Sequence, residues 1–109
     1  MTQYAIADIG SNTIVLLVYE MVNHYPTPIL HISTPAHLID YVNEDRIMSK
    51  EGILKATEVL QSYADKLDEM HVQYRFADIT EPCRIQNKEE LVASLQATGW
   101  DIYPLSGNE

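Results

Sequence analysis

Residues 4–20 read YAIADIGSNTIVLLVYE, two apolar runs joined by a short polar segment. The aliphatic and β-branched runs at 4–7 and 14–19 predict two strands, buried as in the interior of a sheet, with a tight turn between them. Gly10 lacks a Cβ, so another group can come close to the backbone there. Outward-facing peptide N–H groups and the polar side chains of residues 11–13 give this turn enough donors to hold an anion such as phosphate.

Asp8, at the end of the first predicted strand, complicates a phosphate site. A carboxylate repels a phosphate unless a cation bridges them, so the turn suits phosphate mainly when a divalent metal is present. An ordinary β-hairpin turn is the alternative, because Gly, Ser, Asn and Asp are common in turns for conformational reasons alone. The local sequence leaves both interpretations open.

The composition restricts the classes of function. A chain of 109 residues with 46% apolar residues is expected to form a single domain with a real core. Its formal net charge of −9 argues against binding to nucleic acid or to an anionic membrane surface. The lone Cys83 fits a reducing compartment, and no signal peptide or membrane-length apolar run is visible. We therefore expect a cytoplasmic location.

The remaining sequence predicts three more strands and two helices. The strands are expected over 29–33, 72–79 and 100–105, and residues 36–46 are interpreted as a solvated connection. Between these segments, residues from 50 onward show the apolar spacing of an amphipathic helix, and a second helix follows the fourth strand. The order βββαβαβ predicts the α/β class, a mixed sheet with helices packed on it.

Both helices carry start signals. Ser49 is the predicted N-cap of the first, with Met48 and Ile53 placed to form a hydrophobic staple. Asn87 is the predicted N-cap of the second, and Glu90 stands three residues later as in a capping box.

Three predicted loops, at 8–13, 80–84 and 106–109, follow strands. Ligands of mixed α/β sheets usually lie outside the carboxyl ends of parallel strands, so these loops are expected to meet at one edge. The candidate residues there are Asp8, Ser11, Asn12, Thr80, Arg84, Ser106 and Glu109. A donor-rich loop, a guanidinium group and carboxylates are the components of a phosphoryl-transfer site.

The order of these segments resembles the N-terminal portion of the exopolyphosphatase and guanosine-pentaphosphate phosphohydrolase (Ppx/GppA) family, in the superfamily of actin, sugar kinases and Hsp70. DIGSNT, at 8–13, is similar to the DxGSNS/T phosphate loop of that family. MSKEGILKATEVLQSYADKL, at 48–67, resembles its first long helix. NKEELVASLQATGWDIYPLSGNE, at 87–109, resembles its second helix with the following strand and SGxEEA turn.

This resemblance implies a ribonuclease H-like (actin-like ATPase) half-domain truncated after the fifth strand, with residues 1–109 as a single partial domain. Such enzymes release terminal phosphate from polyphosphate or pppGpp with Mg²⁺. By the resemblance, Gly10, Ser11, Asn12 and Thr13 hold phosphate, and Asp8 positions the metal or its water.

Two features of the family pattern are not matched. The second phosphate loop, DxGGGS, is absent, and the general-base glutamate is expected one residue beyond Glu109. We therefore expect this chain alone to be catalytically incomplete.

The family loop ATSAxRxAxN corresponds to ITEPCRIQN at 79–87, one residue short before the asparagine. If Thr80 and Arg84 anchor the alignment, Arg84 is the phosphate-binding arginine. If Asn87 anchors it, Cys83 takes that place.

Two other classes stay open: a non-catalytic phosphate- or nucleotide-binding relative, and a kinase-like member of the superfamily. An uncovered sheet edge and apolar surface would favour self-association.

Overall fold

The computed structural model describes residues 2–80 and 85–104. These residues form β1 (Gln3–Ile9), β2 (Thr13–Val22), β3 (Tyr25–Pro35), α1 (Lys50–Met70), β4 (Tyr74–Ile79), α2 (Lys88–Gln96) and β5 (Asp101–Pro104), with a 3₁₀ turn at Leu38–Tyr41. The predicted order βββαβαβ is confirmed.

The strands form one mixed sheet in the order β3-β2-β1-β4-β5. β1, β2 and β3 make an antiparallel meander, whereas β4 pairs in parallel with β1, and β5 in parallel with β4. The connection from β1 to β4 contains β2, β3 and α1, and that from β4 to β5 contains α2. The carboxyl ends of β1, β4 and β5 consequently lie at one edge of the sheet.

β3 is longer than the sequence predicted. The expected strand at 29–33 extends over Tyr25–Pro35, although Pro26 and Pro28 lie within it. Proline cannot donate to a ladder, but β3 is an outer strand with one free side, where a missing N–H is tolerated. Asn23 and His24 join it to β2 with φ values of 51° and 70°, the left-handed conformations of a tight hairpin turn.

One face of the sheet carries the core. Alternate residues of β1, β2 and β4 are fully buried against α1 and α2, namely Ala5, Ala7, Ile9, Ile14, Leu16, Val18, Ala77 and Ile79. Polar atoms that enter this core find partners: Tyr63 donates its hydroxyl to the carbonyl of Ile14 (2.7 Å), and Trp100 donates Nε1–H to the carbonyl of Leu60 (3.2 Å). The two helices contact each other through the hydroxyls of Thr57 and Ser94, 2.8 Å apart.

The opposite face of the sheet, called the open face here, is not covered by the described residues. It carries Tyr4, Ile6, Asp8, Val15, Leu17, Tyr19, Tyr74, Phe76, Asp78 and Tyr103, all half-buried or exposed. Its aromatic rings pair with each other: Tyr4 stacks on Tyr19 with centroids 5.5 Å apart, and Phe76 lies 6.3 Å from Tyr103. The prediction that the first strand is buried on both faces is therefore wrong for the described part of the chain, because both helices pack on the same side.

The start of α1 follows the predicted capping scheme. The side chain of Ser49 accepts from the N–H of Gly52 at 3.1 Å. Met48 and Ile53 are both buried in the core beside it. Gly52 is required by close packing, since a Cβ there would lie 2.5 Å from the Cβ of Tyr41.

The start of α2 differs from the prediction. Asn87 makes no side-chain capping bond. Its Oδ1 accepts from the N–H of Met48 (2.9 Å), and its Nδ2 donates to the carbonyl of Met48 (2.9 Å). This amide therefore ties α2 to the segment before α1, a contact between residues far apart in sequence that capping statistics do not reveal.

Residues 36–46 are only partly a solvated connection. They include the 3₁₀ turn, whose Leu38 is fully buried. The buried turn was not predicted, because a single turn of helix contains too few residues to show a periodic pattern. No helix in the described ranges is long and apolar enough to cross a membrane.

Candidate anion- and cation-binding site

The β1–β2 turn is held in place by its carbonyl groups. The carbonyl of Asn12 accepts from the N–H groups of Ala36 (2.9 Å) and His37 (2.8 Å), and that of Ser11 accepts from the N–H of Ile39 (2.9 Å). The turn is therefore fixed against the segment that follows β3. An ordinary hairpin turn does not need hydrogen bonds to a third segment. These three bonds therefore hold the β1–β2 turn more firmly than a simple hairpin would need.

Gly10 permits a close backbone approach within the turn. Its N–H donates to the carbonyl of Thr13 at 3.1 Å, and a Cβ at Gly10 would lie 3.1 Å from that same oxygen. Gly10 does not adopt a positive φ, which among the glycines of the described ranges is found at Gly99. Lack of a side chain, rather than backbone freedom, therefore explains the glycine.

Donors of the turn remain available for a ligand. Within the described residues, the N–H groups of Ser11 and Asn12 donate to no backbone carbonyl, whereas the carbonyls of both residues are used. Asn12 is exposed, and Ser11 and Thr13 are half-buried. A short segment whose carbonyls are bonded and whose N–H groups are not is suited to hold an anion.

Thr80 lies beside this turn, as the sequence predicted. Its N–H donates to the carbonyl of Ile9 at 3.2 Å, and its hydroxyl approaches the same oxygen at 3.5 Å. The parallel pairing of β1 with β4 therefore brings Thr80 next to Ile9, directly after Asp8.

Asp78 joins Asp8 at this edge, and the sequence analysis did not identify it. The two residues are register partners on adjacent parallel strands, both on the open face. Their carboxyl groups are close enough for the charge of Asp8 to act on Asp78. Asp8 is exposed, whereas Oδ1 of Asp78 is buried and has no hydrogen-bond donor in the described part of the chain.

This environment changes the acidity of Asp78. Burial, together with the adjacent carboxyl group of Asp8, raises the pKa of Asp78 from 3.8 to about 6. Both causes disfavour the ionised form, since burial removes water and a second negative charge repels the first.

The remaining predicted site residues lie outside the described ranges. These are Arg84, Ser106 and Glu109, together with Cys83, the alternative to Arg84 in the loop alignment. The structure thus brings together the β1–β2 turn, Asp8 and Thr80, and adds Asp78.

The residues at this edge fit the Mg²⁺ that the resemblance implies. Mg²⁺ takes oxygen ligands and is usually bound by one or two carboxylates, with water and phosphate completing its shell. Asp8 and the unpaired buried oxygen of Asp78 supply such a set. No group of three or more His, Cys, Asp or Glu side chains suited to a metal occurs within the described ranges, but Mg²⁺ does not require one.

Comparison with solved structures first defines the class of fold. RuvC from Thermus thermophilus matches 96% of this chain and 64% of its own, with a TM-score of 0.53 at 10% identity. This likeness and the strand order β3-β2-β1-β4-β5 show a ribonuclease H-like fold, as the resemblance predicted.

A more specific likeness is to Ppx/GppA phosphatases. An exopolyphosphatase from Cytophaga hutchinsonii matches with a TM-score of 0.89 at 23% identity, over 98% of this chain and 35% of its own. The Ppx/GppA enzyme of Aquifex aeolicus gives a TM-score of 0.85 at 25% identity, over 96% of this chain and 36% of its own. The chain has the fold of the N-terminal portion of the Ppx/GppA structures and spans about a third of their length. The sequence matches no protein-family model and, at a significant level, no curated protein.

Proposed function

We propose that this chain is the first half of the phosphate-binding domain of an exopolyphosphatase-like protein, which acts on the terminal phosphate of polyphosphate or pppGpp. The observation that carries this proposal is the β1–β2 turn. Its carbonyls bind the segment after β3, and its N–H groups at Ser11 and Asn12 remain free among the described residues. In the proposal, residues 10–13 bind the phosphate oxygens.

Magnesium supports the same role. Held at Asp8, Mg²⁺ would neutralise phosphate charge and polarise the phosphoryl group. The chain's own contribution is to orient the phosphate: the N–H groups of residues 11 and 12 hold its oxygens, and Thr80, directly after β4, borders the site. Arg84 is proposed to add a guanidinium contact from its loop.

We propose that the 109-residue chain binds phosphate without turning it over. The solved exopolyphosphatases are about three times as long, and the general base implied by the resemblance is not among the residues of this chain. The same binding without turnover in a longer form of the protein would instead identify a non-catalytic relative.

The test adds one negative charge to the turn. Asn12 is exposed, and its side chain is unpaired among the described residues, so Asn12→Asp should leave folding intact while repelling an anion. Asn23→Asp is the matched control, because it makes the same change at the opposite end of β2, in a left-handed conformation that Asp tolerates.

Binding of short-chain polyphosphate with Mg²⁺ is measured by calorimetry, and phosphate release by a colorimetric assay. We expect Asn12→Asp to weaken binding about tenfold, corresponding to roughly 1.4 kcal/mol, with no effect of Asn23→Asp. Equal affinities for both variants would contradict the assignment of the turn. Phosphate release at the rate of an intact exopolyphosphatase would contradict binding without turnover.

A further inference from the structure

Asp78 occupies a position that is unfavourable for an isolated carboxylate. The same face of β4 carries Tyr74 and Phe76, so this row of side chains is otherwise aromatic. Asp78 is half-buried at the end of that row, and its Oδ1 is shielded from solvent. A shielded carboxylate oxygen without a partner costs free energy comparable to a lost charged hydrogen bond.

The neighbour of this oxygen cannot satisfy it while both groups are ionised. The carboxyl group beside Asp78 belongs to Asp8, its register partner on β1. Two carboxylates are both acceptors, so the pair needs a proton or a cation between them. The parallel ladder holds their backbones about 4.8 Å apart, so the two groups occupy adjacent positions on one face of the sheet.

We propose that Asp78 is a carboxylate ligand of a divalent cation of the Mg²⁺ class, which it shares with Asp8 at the carboxyl ends of β1 and β4. Two adjacent carboxylates on rigid strands, with one oxygen shielded from water, match the small donor set of a hard cation that retains several waters. The resemblance gives Asp78 no role, since the motif that it matches begins at Ile79.

This inference deepens the proposed function and rests on it for the phosphate alone. A chain with a net charge of −9 and a carboxylate at the end of β1 repels phosphate. A cation between Asp8 and Asp78 would lie next to the free N–H groups of the β1–β2 turn. It would offset the negative charge where the phosphate enters.

The test titrates Mg²⁺, and Mn²⁺ as its paramagnetic substitute, into the 109-residue chain by calorimetry and water-proton relaxation. The variants are Asp78→Asn and Asp8→Asn. Asp101→Asn is the matched control, because it removes the same charge from an exposed carboxylate on β5. We expect one saturable site, weakened at least about tenfold by each of the first two substitutions and unchanged by the control.

A second readout separates a ligand from a structural residue. With chelator present, Asp78→Asn should melt no lower than the wild type, since the substitution removes a repulsive contact. Added Mg²⁺ should then raise the melting temperature of the wild type and not that of the variant. A melting temperature that Mg²⁺ raises equally in both proteins would overturn the proposal. So would the absence of saturable binding to the wild type at about 10 mM Mg²⁺.

Binding of inorganic phosphate and of polyphosphate is measured separately from cation binding, so that failure of the cation site can be told from failure of the proposed function. Cation binding that depends on Asp78, with no binding of inorganic phosphate or polyphosphate, would sustain the cation site and refute the phosphate site. Polyphosphate binding that needs no metal and is unchanged in Asp78→Asn would do the reverse.

Discussion

Asp78 couples the candidate site to pH. Two groups face Asp78, each its register partner on a neighbouring strand: Asp8 on β1 and Tyr103 on β5. Since the pKa of Asp78 is about 6 in the fold and 3.8 is its ordinary value, the folded state binds more protons between these values. The free energy of unfolding therefore falls as the pH rises from about 4 to about 6, and it stays at the lower level above that range.

The Asp78→Asn substitution should remove this loss of stability. The pKa difference corresponds to an upper limit of about 3 kcal/mol, which solvent around a half-buried carboxyl reduces to about 1 kcal/mol. The free energy of unfolding is measured by urea denaturation in the presence of chelator. The difference between Asp78→Asn and the wild type should be about 1 kcal/mol more in favour of the variant at pH 7.5 than at pH 4. Asp101→Asn serves again as the control. A difference that does not change with pH would contradict the assignment.

At the scale of single residues, the sequence predicted the β1–β2 turn but not the role of Asp78 beside it. Gly10, Ser11, Asn12 and Thr13 form a contiguous segment, so a turn there could be predicted from local composition. Asp78 lies within a strand whose other residues suit a sheet, and it gains meaning only from the register with Asp8. That register depends on a pairing between distant segments, which no local pattern contains.

Among the helices and strands, too, interactions within one element could be predicted and those between distant elements could not. Ser49 was correctly predicted to cap α1, because an N-cap bonds within its own helix turn. Asn87 has the same composition signal but bonds both backbone groups of Met48, 39 positions away. Its role could be found only once the segment before α1 was placed against α2.

Replacing Asn87 tests that role. Asn87→Ala removes both partners of the Met48 backbone, which is part of the buried junction between the helices. We expect a loss of about 2 kcal/mol in the free energy of unfolding, measured by urea denaturation. Asn87→Asp keeps the acceptor for the Met48 N–H, and should therefore lose less than the alanine variant.

Asp is as good an N-cap as Asn, which makes this pair informative. Equal stability of Asn87→Asp and the wild type would contradict the two-way bond and restore a simple capping role.

At the scale of the whole molecule, the open face differs from an ordinary surface because it carries several exposed or half-buried aromatic side chains. Tyr74 is 57% exposed and Tyr103 52% exposed, next to the half-buried rings of Tyr4, Tyr19 and Phe76. Contiguous apolar surface of this kind favours association. Self-association was expected through the sheet edge, and the structure also leaves the aromatic side chains of the open face half-buried or exposed. Self-association itself stays a prediction.

A pair of lysine substitutions tests it. Tyr74→Lys places a charge on the open face, whereas Leu54→Lys places one on α1 at a side chain that is 56% exposed. Both change the net charge equally. We expect a concentration-dependent dimer of the wild type by sedimentation equilibrium, weakened about tenfold by Tyr74→Lys and unaffected by Leu54→Lys. A wild-type monomer at all concentrations would refute this prediction.

The order of strands and helices could be predicted, but not which face of the sheet the helices cover. Alternating apolar patterns and helix signals gave βββαβαβ, and the resemblance supplied the fold that the comparisons confirm. Which face each helix covers depends on the handedness and length of the crossovers, so burial of β1 on both faces was wrongly expected.

The parallel register that places Asp8 beside Asp78 also sets the time at which the two can meet. They are 70 positions apart, whereas the three strands of the meander pair with immediate neighbours in the chain. During synthesis from the N-terminus, the meander can form while Asp78 is still unmade, and Asp8 then waits at the end of an incomplete sheet. The carboxylate pair can therefore form only after the meander. A cation bound there would act after the meander has formed, slowing unfolding more than it speeds folding.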